Sequence, residues 1–132
     1  MSALDPVGPA GPQPSAQDEL RALVQRYARA ADERDVPALE SLFHPDAEID
    51  GVRGPMPFAT WLDTMRAPRT EGYSMHMLGD PLITLDPGGL RATLDTYGVV
   101  YQPERTLGMR YVDEVERQIG RASCRERVCY VV

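Results

Sequence analysis

Residues 23–51 read LVQRYARAADERDVPALESLFHPDAEIDG, and the place where the apolar spacing breaks inside this stretch decides the fold. Leu20, Leu23, Val24, Tyr27 and Ala31 recur at helical spacing, which predicts a first helix with one apolar stripe running to about residue 34. Ser15 and Asp18 mark its start, because at that spacing each side chain satisfies the other's backbone N–H in a capping box. Asp35 and Pro37 open a second, short helix carrying Leu39, Leu42 and Phe43, since proline is tolerated in a first helical turn. HPDA at 44–47 is turn chemistry, and AEID at 47–50 reads as a brief strand before a Gly-Pro-rich loop.

Working outward, Pro57 starts a third helix with Phe58, Trp61, Leu62 and Met65 on one side, ending before Pro68. From Tyr73 the period changes from 3.6 to 2. YSMHML (73–78) and LITLD (82–86) flank Gly79-Asp80-Pro81, which predicts one long strand bent at a bulge, or two short ones. Pro87-Gly88-Gly89 is a hairpin turn, and residues 90–102 and 106–117 make two further strands joined through Pro103-Glu104. Helices first and an antiparallel sheet after them is an α+β pattern. Residues 1–14 carry four prolines, two glycines and almost no bulky apolar side chain, which reads as a disordered leader.

At 132 residues the chain is long enough for one core and too short for two. Its net charge is −6 and every basic residue is arginine, with no basic stripe, which argues against nucleic acid and anionic membrane as partners. The longest apolar run falls far short of the ~18 residues that span a bilayer. The N-terminus has neither the basic nor the apolar region of a secretory signal, so a cytoplasmic protein is expected. No cysteine precedes Cys124, which leaves no disulfide framework and no thiolate metal site upstream of it.

The stretch quoted above, followed by YSMHMLGDPLITLD (73–86) and GMRYVDEVER (108–117), resembles the SnoaL-like family of the nuclear transport factor 2-like superfamily. The resemblance covers residues 17–117 and is carried most by D-x-x-D between the first two helices, by FHPDA, and by a histidine strand ahead of a hairpin. It implies a cone: three N-terminal helices packed in a strongly curved antiparallel sheet, with an apolar pocket between them. It also implies a cofactor-free enzyme acting on a small apolar or cyclic molecule, and a homodimer through the outer face of the sheet. Relatives that are dehydratases, a dehydrochlorinase or cyclases use an Asp–His pair, and Asp32 and His76 stand at the matching positions. In such a pair the imidazole abstracts a proton from carbon while the carboxylate holds its tautomer and supports the imidazolium. Dehydratase relatives tend to add tyrosines around the pair, whereas here Ala31 precedes Asp32.

The residues on their own leave alternatives open. At about 100° per residue, Asp32 lies about 125° from the centre of the apolar stripe, at the flank of the buried face. It is either a solvated carboxylate paired with Arg29 or a functional one placed against the helix dipole. His76 shares a strand face with Ser74 and Leu78, and reads either as a core histidine satisfied by backbone or as the base. His44, ahead of a proline, reads as a turn residue, and no metal site is expected because the histidines and carboxylates show no ligand spacing. Candidate pocket residues are Tyr27, Phe58, Trp61 and Met65 on the helices and Met109, Arg110 and Tyr111 on the last long strand, with Met75, Met77 and Leu107 as further lining. Alternation means that either Arg110 or its two neighbours face inward.

In the family that the sequence resembles, the strand ending in DEVER turns back into a central closing strand. Here residues 119–128 read IGRASCRERV, which matches the in-frame translation of a widely used short-read sequencing adapter. Residues 118–132 are therefore read as a non-native read-through tail, leaving a domain at 15–117 that lacks its native last strand. Without residues 119–132 the charge becomes −8, since three arginines and one glutamate go with them. On this reading Cys124 and Cys129 have no functional meaning, and unless the tail, whose RVCYVV has strand character, mimics the missing strand, the open position leaves backbone groups unpaired and one wall of the core exposed.

Two functions follow. The first is a lyase, isomerase or cyclase with His76 as general base and Asp32 as its orienting carboxylate. The second is a binding or accessory domain that holds a small molecule in the same pocket without turnover.

Overall fold

The computed structural model describes residues 15–68, 72–118 and 121–131, so the leader expected over 1–14 lies outside the described residues. Helix α1 spans Ala16–Glu33, and its start carries both halves of the capping box between Ser15 and Asp18. Arg34 ends it in the left-handed region at φ 50°, sending the chain straight into α2, Val36–Leu42, where the Asp35 carboxylate accepts from the Ala38 N–H. Helix α3 is Phe58–Arg66.

The strands are β1 (Phe43–Gly51), β2 (Gly54–Pro57), β3 (Met75–Leu78), β4 (Leu82–Leu85), β5 (Arg91–Tyr101), β6 (Thr106–Gln118) and β7 (Arg121–Val131). They form one sheet in the order β2-β1-β7-β6-β5-β3, with β4 also on β5. All pairings are antiparallel except that of β1 with β7. The stretch around Gly79-Asp80-Pro81 resolves as two short strands on one edge of β5, His76 opposite Val100 and Ile83 opposite Leu94. The Gly79 N–H still reaches the Tyr97 carbonyl across the break, at 2.8 Å.

Two expectations are corrected here. HPDA is not a turn ahead of a brief strand but part of one strand, β1. Phe43 pairs with Cys124 and Glu48 with Glu126, so the residues between them on β1 bulge out opposite Arg125 alone. The turn chemistry survives inside that bulge, where the His44 imidazole accepts from the Asp46 N–H at 3.1 Å. Second, the closing position expected to lack a strand is filled: Arg121–Val131 lies between β6 and β1, with Val112 opposite Val128. The physical reason is its side-chain pattern: Cys124 packs in the core beside Val115, and after a register shift at Arg125 the strand puts Arg127 inward and Glu126 and Tyr130 outward. The fit has a cost, because the Ser123 hydroxyl and the Arg127 Nη1 are buried without hydrogen-bond partners.

The core lies between the helices and the inner face of the sheet. Leu20, Leu23, Val24 and Tyr27 of α1 meet Leu39 and Leu42 of α2 and Phe43 and Ile49 of β1. Phe43 stacks on Phe58 with ring centroids 4.6 Å apart, and Tyr27 meets Phe43 edge-on at 6.1 Å. Leu39 is wholly buried, and a side chain of its size contributes about 1.5–3 kcal/mol on burial. This packing fixes the end of α1 against β3, and that junction holds the candidate site.

Candidate active site

Asp32 sits in the last turn of α1, where the helix runs beside β3. Its carboxylate collects donors from the strand: the His76 backbone N–H at 2.9 Å to Oδ2, and the Ser74 hydroxyl at 3.1 Å to Oδ1. The His76 ring joins them, with Nδ1 2.5 Å from Oδ1. An ionised carboxylate only accepts, so this contact puts the ring proton on Nδ1 and leaves the Nε2 lone pair for chemistry. Both side chains are largely withdrawn from water, with exposures of 12% for His76 and 20% for Asp32. The surface pairing of Asp32 with Arg29 does not form, because Arg29 reaches Glu33 at 3.7 Å instead.

Tyr27 links this pair to the interior. Its ring meets the imidazole of His76 edge-on at 5.9 Å and the phenol ring of Tyr111 at 6.1 Å. Over its face, 3.8 Å from the centroid, lies the guanidinium of Arg127, which grips Asp113 through two hydrogen bonds. Burial pushes the Tyr27 phenol up to about 12, against the pull of Arg127, and pushes Tyr111 up as well. Cys129, beside the same arginine, is pushed up to about 11 by burial, which keeps it a neutral thiol.

A cavity of about 270 Å³ opens beside Tyr27. Tyr27, Trp61, Met65, Met109 and Tyr111 line it, joined by the β1–β2 hairpin, Arg34, Arg127 and Cys129. Asp32 and His76 are not among its described lining residues; His76 meets the ring of Tyr27, which does line it. Phe58 is core rather than wall, 4% exposed and stacked between Phe43 and Trp61. Arg110 points to the opposite face of the sheet because Met109 and Tyr111 turn inward. There it holds Asp95 in two hydrogen bonds of 2.9 and 2.6 Å, between the rings of Tyr97 and Tyr130, and keeps that carboxyl below its usual range. Met75 and Met77 are likewise outward and exposed. No described residues form a group of three His, Cys, Asp or Glu placed to hold a metal ion.

Sequence reasoning placed Ser74 on the His76 face but gave it no bond to Asp32. Arg34 and Arg53 at the cavity mouth carried no signal at all, since nothing in their spacing marks them.

No helix among the described residues is long and apolar enough to cross a membrane. None of the curated proteins matches the sequence significantly. Solved structures do match in fold. An NTF2-like protein with a cystatin-like fold from Novosphingobium aromaticivorans is similar over 89% of this chain and 82% of its own, at 24% identity and TM-score 0.73. A protein from the same organism assigned as a scytalone dehydratase gives 86% and 82%, 15% identity and TM-score 0.74. A hexachlorocyclohexane dehydrochlorinase (LinA) gives 86% and 82%, 15% identity and TM-score 0.71. At these identities the likeness is one of fold. The sequence profile of the SnoaL-like domain matches residues 13–127, which takes in all three helices, the strands β1 to β6 and most of β7, and the chain therefore belongs to the SnoaL-like domain family.

Proposed function

We propose that the protein is a cofactor-free lyase, isomerase or cyclase in which His76 removes a proton from a carbon of a small apolar or cyclic substrate. The observation that carries this reading is the 2.5 Å contact of His76 Nδ1 with an Asp32 carboxylate that also binds the His76 backbone and Ser74. Nε2 takes the proton, and the C–H bonding pair moves into the adjacent bond. Either a leaving group departs with its own pair, or the charge rests on a neighbouring oxygen until another carbon is protonated. Asp32 supports the imidazolium in both cases, and a base held in this way contributes about 10²–10⁴-fold in rate. We take the protein to be cytoplasmic and to pair with a second copy through the outer face of the sheet, where Tyr97, Tyr130, Met75 and Met77 are exposed; sedimentation as a monomer would remove the second part.

The test is the NMR titration of His76 in wild type and Asp32→Asn, with His44 as internal control. A carboxylate in contact favours the imidazolium, so removing its charge should lower the His76 midpoint while that of His44 stays in place. An unchanged midpoint would remove the catalytic pair. The second reading, a binding domain without turnover, is favoured by one observation: the cavity's described lining omits both Asp32 and His76.

A further inference from the structure

Among the described residues the cavity is lined by three arginines and no acidic side chain, in a chain whose 20 acidic residues outnumber its 14 basic ones. Its charge therefore opposes that of the protein around it. Arg53 stands at the tip of the hairpin between β1 and β2, exposed, with no partner among the described residues. Arg34 forms the opposite lip, fixed between α1 and α3 by a 2.8 Å hydrogen bond from Nη1 to the Ala67 carbonyl. Arg127 lies deeper: Asp113 occupies Nε and Nη2, while Nη1 is buried with no partner. The remaining wall is mostly apolar, with Ile49, Met56, Trp61, Met65 and Met109 prominent. Positive charge gathered at a low-dielectric mouth concentrates anions there and raises their rate of entry.

We propose that the cavity takes an organic carboxylate, with an apolar body of one or two rings against Trp61 and Met65 and its anionic group at Arg53. Arg34 adds to the field at the mouth, and the free Nη1 of Arg127 offers a donor deeper in to a polar atom on the body. The proposal rests on the reading that this cavity serves the Asp32–His76 pair, and it names that pair's class of substrate. Arg34 and Arg53 precede β7, so the selection of an anion does not depend on the sequence of the closing strand.

The probes are naphthoate and its neutral isostere naphthamide, titrated into the full chain at low ionic strength and followed by fluorescence of Trp61, the only tryptophan. A charge-assisted contact at a half-exposed mouth predicts that naphthoate binds about tenfold more tightly. Arg53→Gln should erase most of that preference, Arg53→Glu should reverse it, and ~0.5 M salt should weaken it by screening. Because Arg53 is exposed at a hairpin tip, neither variant disturbs the core. Equal affinity for the two probes, no binding of either, or a preference that survives Arg53→Glu would each overturn the proposal. Binding is read without turnover, by the fluorescence of Trp61 alone. A failed catalytic pair would show only in the His76 titration, and a failed anion site only here.

Discussion

Replacing Asp113 by alanine should lower the free energy of unfolding by about 3–5 kcal/mol. The figure follows from the geometry of one pair. Arg127 donates from Nε to Oδ1 at 2.6 Å and from Nη2 to Oδ2 at 2.8 Å, and the two side chains are 5% and 2% exposed. Without the carboxylate, the guanidinium stays buried against the rings of Tyr27 and Tyr111 with its charge uncompensated. The Arg29–Glu33 pair on the surface of α1 provides the contrast, since exposed pairs contribute about 0–1 kcal/mol and Glu33→Ala should change little. Removing both charges at once, with Asp113→Leu and Arg127→Met, should recover most of the loss, because well-packed apolar replacements of a buried pair are often close to neutral. Urea unfolding followed by Trp61 fluorescence and circular dichroism measures it. With a slope of about 2 kcal/mol per molar, the Asp113→Ala midpoint should fall by about 2 M. A loss below about 1 kcal/mol would refute the reasoning, for Arg127 would then not be seated in the core and β7 would not be held between β6 and β1.

Other outcomes follow from single positions. A Cβ on Gly98 would press on the Leu78 side chain and lie 2.9 Å from the Met77 carbonyl oxygen, so Gly98→Ala should push β3 from β5. The expected cost is about 1–3 kcal/mol, with the His76 NMR signals displaced as well; unchanged signals would contradict the pairing. The phenols of Tyr27 and Tyr111 are raised by burial, Tyr27 from 10.0 to about 12, so phenolate absorbance should leave two of the six tyrosines un-ionised until the protein unfolds. The sign is that of a raised folded value: this stability is intact below the unfolded value near 10 and is lost as pH rises through about 12. Ionisation of all six with the circular dichroism unchanged would show the two rings to be solvated.

Elements specified by their own residues were legible in the sequence. Ser15 and Asp18 mark the start of α1 within one residue, Asp35 and Pro37 mark that of α2, and Gly79-Asp80-Pro81 divides β3 from β4. What stayed hidden is what a partner decides. HPDA looks like a turn until β7 pairs alongside it, at which point the same residues become a bulge in a strand. Alternation could not choose between Arg110 and its neighbours, because the choice depends on whether Tyr27 offers a ring to Tyr111 across the core. Asp32 and His76 are 44 positions apart, so only a fold can bring them together; the resemblance supplied that fold, while periodicity placed Asp32 no nearer than the flank of the helix. Arg53 had no sequence signal, since a hairpin tip acquires meaning only from what it overhangs.

The parallel pairing of β1 with β7 also sets the order in which the molecule can assemble. A chain made from its N-terminus completes α1 to α3, β1 and β2 early, but the strand that joins them to β6 is made only after β3 to β6. Until then β1 and β6 each present an open edge, and the contacts that close the sheet span most of the chain. High sequence separation of that kind slows folding and prolongs exposure of unpaired edges to other nascent chains. Yield of soluble protein should therefore respond to expression temperature and to chaperones more than the equilibrium stability of the finished domain would suggest.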